Sequence, residues 1–287
     1  MRRALRVGVV GIAFAMQSGA NALAVSAAPA PPTSSARSST AIVTGGSRGI
    51  GAACSAALAA KGYDVVVVYR SGAQEAASVV AGITSNGGRA VALQADVADE
   101  VQVVRLFEQV DEWRGTGSDL RVLVNNAGIL GPKDGLQKLT SESLLGVLRV
   151  NTLGPALCIR EAERRMSTVE GHAGGSIVQI SSGSAYIGRP LEYGCSKGAL
   201  NSLTIGLVAP LAKQGIRINT ISPGMTDTDM IAETLPSFDM SAIPLGRVGT
   251  PEEVASCVVW LCSDDASYVA GANVRVAGGR PPGTTLG

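Results

Sequence analysis

The chain has 287 residues, 46% of them apolar but only 3% aromatic, and a net charge of +1. Such a length admits one or two domains, and such a composition supplies a large core of Ala, Val, Leu and Ile rather than of rings. Arg2, Arg3, Arg6 and Arg37 lie in the first forty residues, where there is no acid, so the remainder carries 20 bases and 23 acids and offers no basic surface for nucleic acid.

In chain order, Met1-Arg2-Arg3 and Arg6 precede an apolar run over residues 7–16, and small residues follow at Ala22-Leu23-Ala24 and Ala27-Ala28-Pro29-Ala30. This is the shape of a secretory signal. An acid-free leader containing Arg and Ser equally suits an organellar transit segment, or an upstream start codon appended to a cytosolic protein, so localisation stays open. The run is too short for a comfortable membrane span. Pro31-Pro32-Thr33-Ser34-Ser35 reads as a linker. Residues 1–38 are therefore expected to be leader and linker, and residues 39–287 the folded body.

The body alternates β-branched runs with helical patterns. Strands are predicted at residues 40–44, 64–69, 90–94, 122–125, 176–181, 217–222 and 273–276, with helices between them. Val65-Val66-Val67-Val68 has the continuous apolar character of a strand buried on both faces. Such alternation with right-handed crossovers predicts an α/β fold: a doubly wound parallel sheet of about seven strands in one domain. The last helix is marked by Thr250 as N-cap, Pro251 at the first position, and Glu252 and Glu253 at the positive dipole end. Residues 225–247 lack a period, contain Pro236 and Pro244, and read as an insertion over the site.

Two local motifs carry chemistry. Thr44-Gly45-Gly46-Ser47-Arg48-Gly49-Ile50-Gly51 follows a short apolar strand and precedes an Ala-rich helix. Strand, glycine turn and helix together suit a dinucleotide, because glycines let backbone approach the pyrophosphate and the helix start supplies free N–H groups. Tyr193 and Lys197, in Glu192-Tyr193-Gly194-Cys195-Ser196-Lys197, lie four apart and so share a helix face. A free phenol ionises near about pH 10, and a nearby ammonium favours its ionised form.

With both motifs in place, residues 40–280 resemble the short-chain dehydrogenase/reductases. Asn125-Asn126-Ala127-Gly128, Asn151 in Val150-Asn151-Thr152, Ser181-Ser182, and Ser222-Pro223-Gly224 occur in family-like order. The chain is most similar to the 3-oxoacyl-carrier-protein reductase and sugar or steroid dehydrogenase kinds. The resemblance implies a Rossmann-type fold and an oxidoreductase that interconverts a secondary alcohol and a ketone. It gives Tyr193 proton transfer, Lys197 the tuning of Tyr193 and the nicotinamide ribose, Ser182 the substrate oxygen, and Asn151 a water linking Lys197 to solvent. Ser182 and Tyr193 are eleven residues apart, where the family usually has about thirteen, so Ser181 or Ser184 could instead be the working hydroxyl.

The second strand ends Val68-Tyr69-Arg70-Ser71, without the acid that would bind the ribose hydroxyls of NAD. Arg70, with Arg48 from the glycine turn, can instead pair with a phosphate, which favours NADP(H) over NAD(H). The resemblance extends the cofactor site over Gly45, Ser47, Gly49, Ile50 and Gly51, Tyr69 and Ser71, and Asp96 and Val97 at the adenine. It also takes in Asn125, Ala127 and Gly128, Tyr193 and Lys197 again, and Pro223, Gly224 and Thr226. It further implies a homo-oligomer, a tetramer. The alternative is a non-catalytic dinucleotide-binding or regulatory protein on the same fold.

Cys54, Cys158, Cys195, Cys257 and Cys262 are odd in number and show no paired spacing, which suggests free thiols in a reducing compartment. Cys195 is either a small packing residue or a reactive thiol. His172 is the single histidine, in a glycine-rich loop, and the Cys and His spacing offers no metal site.

Overall fold

Chain segments that are apolar on both faces must be covered on both faces, and this chain does so with helices. The computed structural model describes residues 38–132 and 135–281. The expected leader and linker, Ser38 apart, lie outside the described residues. Seven strands form one parallel sheet: β1 (Ser38–Thr44), β2 (Tyr63–Tyr69), β3 (Ala90–Gln94), β4 (Ser118–Asn125), β5 (Gly175–Ile180), β6 (Ile216–Pro223) and β7 (Asn273–Val276). Their order is β3-β2-β1-β4-β5-β6-β7. The strand order reverses between β1 and β4, and a crevice opens there beyond the strands' C-terminal ends.

Strand residues alternate between the two faces. Ile42, Val66, Val68 and Leu123 pack into one core with Phe107 and Leu157. Ala41, Val43, Val65, Val67 and Val124 pack into another with Leu58 and Val258. The first core is covered by α3 (Glu100–Arg114), α5 (Gly154–Met166) and α7 (Leu191–Ala212), the second by α1 (Gly49–Ala59), α2 (Ala73–Ser85) and α8 (Pro251–Cys262). Two further helices are α4 (Ser141–Leu148), packed on α7, and the one-turn α6 (Ser184–Ile187), which lines the crevice. No helix among the described residues is long and apolar enough to cross a membrane.

Helix ends follow side-chain chemistry. At α8, Thr250 accepts from the Glu253 amide, and the Glu253 side chain accepts from the Thr250 amide at 2.8 Å. Arg247 holds the same carboxylate at 2.7 Å. β4 starts four residues before the predicted boundary, because its first half, Ser118-Asp119-Leu120-Arg121, does not read as apolar. There the buried Ser118 and Thr40 hydroxyls bond each other at 2.7 Å, and Ser118 donates to the Ser38 carbonyl at 2.9 Å.

Residues 225–247 hold three single 3-10 turns, Asp229–Ile231, Leu235–Ser237 and Met240–Ala242. The base of the segment is clipped shut. The Gly249 amide donates to the Met225 carbonyl, and the Asp227 amide donates to the Gly249 carbonyl, both at 2.9 Å.

Candidate active site

The glycine turn joins β1 to α1 at the reversal point. Gly45 and Gly49 have φ of +61° and +51°, the left-handed region that glycine enters without strain. A Cβ on Gly51 would stand 2.1 Å from the Gly45 carbonyl oxygen, so no larger residue lets α1 begin this close to the turn. No side chain caps α1, and its first turn has no acid. A backbone cradle ending in uncapped amides fits a pyrophosphate.

Two residues outside the expected site brace this cradle. The Thr44 hydroxyl oxygen accepts from the amides of Asn126 and Ala127 at 3.0 and 3.1 Å. Asn126 Nδ2 donates to the carbonyls of Thr44 and Gly45, both at 3.0 Å. Asn125, which was expected at the cofactor, turns the other way and donates to the Pro155 carbonyl at 3.4 Å. Successive strand residues face opposite sides, and that alternation is the signal that separates the two asparagines.

The outer end of the crevice holds the residues expected at the adenine and its ribose. Arg48 pairs with Glu75, and Arg70 lies 3.9 Å from Asp96. Both guanidinium side chains are more than half exposed. Asp96 accepts from the Ala98 amide at 2.9 Å, and the Val97 side chain is buried in the core.

At the inner end, α4 and α5 are joined by a π-turn, Arg149–Leu153, with Asn151 at its centre. Wide turns of this kind recur at functional sites. Asn151 is fully buried. Its Oδ1 accepts from the Ile129 amide, and its Nδ2 donates to the Ile129 carbonyl and to Ser196 Oγ, all at 2.9 Å. Both side-chain donor hydrogens are thus committed. Gly128 sits above, where a Cβ would come 3.3 Å from Asn151 Oδ1 and 3.6 Å from Lys197 Nζ.

α7 brings Tyr193 and Lys197 to the crevice. Lys197 Nζ donates to the Ile180 carbonyl at 2.7 Å and lies 5.6 Å from the centre of the Tyr193 ring. Burial brings its pKa down to about 8. Burial also pushes the Tyr193 phenol up, and a hydrogen bond with Ser182 opposes this. Ser182 also accepts from the Ser184 amide at 3.1 Å. The Ser181 hydroxyl instead donates to the Lys197 carbonyl at 3.4 Å, away from the phenol. The short link from Ser182 to Tyr193 folds as α6 and a turn at Gly188, packed so closely that a Cβ on Gly194 would be 2.8 Å from Gly188 backbone.

Tyr193, Lys197 and Ser182 line one cleft of about 840 Å³, together with Ile50, Pro223 and Gly224. Met230, Ile231, Thr234 and Phe238 from residues 225–247 form its outer wall. The Gly224 amide donates to the Val276 carbonyl at 2.8 Å, and Thr226 is buried with its hydroxyl donating to the Gly224 carbonyl at 3.3 Å.

Residues 45–280 match a family profile described as enoyl-(acyl carrier protein) reductase. A crystal structure of a short chain dehydrogenase from Burkholderia cenocepacia J2315 in complex with NADP is similar at a TM-score of 0.77 and 35% identity, over 86% of this chain and 99% of that one. The chain belongs to the short-chain dehydrogenase/reductases. An uncharacterized oxidoreductase, YgfF, of Escherichia coli (strain K12) is 44% identical over 247 residues, 84% of this chain and 99% of that one. Glucose 1-dehydrogenase 2 of Bacillus subtilis (strain 168) is 36% identical over 246 residues, 84% of this chain and 93% of that one. This short-chain dehydrogenase/reductase is accordingly an oxidoreductase, and the alternative of a non-catalytic protein finds no support among these relatives. Cys195, although next to the motif, is exposed and does not line the cleft.

Proposed function

We propose that the protein is an NADP(H)-dependent dehydrogenase/reductase that interconverts a secondary alcohol and a ketone, with Tyr193 as the proton-transfer group. The observation that carries this reading is that the buried Tyr193 and the buried Lys197 line one cleft with Ser182, with the Lys197 ammonium 5.6 Å from the centre of the Tyr193 ring. The dinucleotide, when bound, supplies or accepts the hydride. The chain's own residues do the rest. Tyr193 passes a proton to or from the substrate oxygen, and Ser182 donates a hydrogen bond to the same oxygen as charge develops there. Lys197 holds the nicotinamide ribose and places its positive charge near the phenol. Asn151 fixes the floor beneath Lys197. Its side-chain donors are already used, so a relay water there would donate to an oxygen of the turn rather than accept from the amide.

The glycine turn, the α1 amides, and Pro223, Gly224 and Thr226 would hold the dinucleotide, with Asp96 and the Val97 main chain at its adenine. Two features favour NADP(H) over NAD(H): Arg70, not an acid, follows the last residue of β2, and Arg48 reaches Gly72 two residues on. The irregular residues 225–247 are read as the substrate loop, and residues 1–37 as leader and linker, since Ser38, expected in the linker, begins β1. Mass spectrometry of the mature N-terminus tests the leader.

Assembly into a homotetramer is part of the proposal. Leu145 on α4, Leu153 in the π-turn and Ile205 on α7 are exposed apolar side chains suited to a second copy. Light scattering at micromolar concentration tests this, and a monomeric mass overturns it.

The decisive experiment is NADPH oxidation with a panel of ketones, on the wild type and on Tyr193→Phe. Turnover should fall by a factor on the order of 10² or more in the variant while NADPH binding holds. Near wild-type turnover by Tyr193→Phe sinks the mechanism.

A further inference from the structure

The described lining of the catalytic cleft contains the cations Arg189, Lys197, Arg275 and Arg280 and not one carboxylate. Lys197 has its place in the site. The arginines at the chain's C-terminal end do not.

Arg275 lies on β7 opposite Ser222 and reaches over to Gly183, the residue after Ser182. A Cβ on Gly183 would stand 4.0 Å from its Nη2. The guanidinium rests against the Tyr186 ring, 5.4 Å from its centre, and Nη2 donates to the Arg280 carbonyl at 3.0 Å. Nη1 is buried and has no hydrogen-bond partner. The Arg280 guanidinium is poised over Phe238, 5.3 Å from the ring centre. Among the described residues, neither arginine has an acid as ion-pair partner. Elsewhere the chain pairs such charges: Arg160, Arg164 and Arg165 converge on Glu161.

A buried donor left without a partner is costly, and the structure retains one on the half-buried Arg275, which reaches the residue after Ser182. The planar fork of arginine matches a carboxylate or a phosphate. The two rings orient the guanidinium groups without neutralising them. Building on the reductase reading above, we propose that the substrate carries an anionic group, a carboxylate or a phosphate, which Arg275 binds with Arg280 in support while the carbonyl faces Ser182 and Tyr193. Arg275 then selects among carbonyl compounds by charge, a task that Lys197, tied to Ile180, does not perform.

Calorimetric binding to protein saturated with oxidised dinucleotide tests this without turnover. The probes are levulinate and longer methyl-keto acids against their methyl esters, and dihydroxyacetone phosphate against dihydroxyacetone. An anionic member of at least one pair should bind about tenfold or more tightly than its neutral partner, as a charge-assisted fork contact provides. The pair that responds tells carboxylate from phosphate. Arg275→Gln should erase that preference and leave the neutral partner's affinity unchanged, and Arg275→Lys should keep part of it. Equal binding within every pair overturns the proposal. So does an Arg275→Gln variant that weakens both partners alike, since that marks a purely structural arginine. NADPH oxidation is scored separately. Selective anion binding with no turnover of any ketone overturns the reductase reading and leaves the anion site standing, whereas turnover without anion preference does the reverse.

Discussion

Lys197 Nζ donates to the Ile180 carbonyl at 2.7 Å, so the ammonium beside Tyr193 is tied between α7 and the end of β5, with the residue only 3% exposed. Burial holds its pKa near about 8, below the ordinary 10.5. A base with a lowered folded pKa binds fewer protons folded than unfolded in the window between those values. Stability therefore rises with pH from about 8 to 10.5 and is penalised below it. Relative to Lys197→Met, which cannot titrate, the wild type should gain on the order of 2–4 kcal/mol across that window. Denaturant unfolding of both proteins over the pH range checks this. A difference that stays flat, or that falls as pH rises, removes the buried-lysine account.

The glycine turn makes a steric prediction. Gly51→Ala places a methyl 2.1 Å from the Gly45 carbonyl oxygen and 2.5 Å from Asn126 Nδ2, so the turn must open. Overpacking of this kind costs about 1–3 kcal/mol, and dinucleotide binding should weaken by about tenfold or more. Gly82→Ala, on the exposed side of α2 with no atom within 4 Å, should instead stabilise by about 0.5–1 kcal/mol and leave binding alone. Thermal melts with and without NADP(H) separate the two. Unchanged binding in Gly51→Ala would mean that the turn is not the cradle.

The serines also separate. Ser182 meets the Tyr193 phenol, whereas the buried Ser181 donates to the Lys197 carbonyl. Ser182→Ala should lower kcat by about 10–1000-fold with little change in stability, as for a lost donor to the developing oxyanion. Ser181→Ala should cost about 1 kcal/mol of stability and little activity. The opposite ranking in steady-state kinetics would move the hydroxyl role to Ser181.

The sheet was legible because runs such as Val65-Val66-Val67-Val68 have no reading except burial on both faces. The first half of β4 was not, since Ser118 is hidden by a partner, Thr40, that lies 78 residues away in sequence. The same divide runs through the site. Tyr193 with Lys197, and Gly45 with Gly51, are spaced within one or two helical turns, so their geometry follows from local rules. Thr44 bracing Asn126, and Arg275 reaching Gly183, depend on pairings across the sheet that single-chain spacing does not encode. The one-turn helix after Ser182 was also invisible, because four residues carry no period.

The proposed preference for NADP(H) is tested at the ion pairs just beyond β2. Glu75, in the first turn of α2, holds Arg48, and Asp96 stands 3.9 Å from Arg70. A backbone hydrogen bond and the Arg48 contact keep the Glu75 carboxyl below its usual range, so it stays ionised at neutral pH and competes for Arg48. A ribose phosphate must displace it. Glu75→Gln removes the competing charge and should tighten NADPH binding by about three- to tenfold, with NADH affected little. Arg70→Asp should weaken NADPH by about tenfold or more and narrow or reverse the preference. Fluorescence titration of both dinucleotides against the three proteins reads all of this. Wild-type protein that binds NADH more tightly than NADPH overturns the assignment. An unchanged NADPH affinity in Glu75→Gln shows that Arg48 takes no part in it.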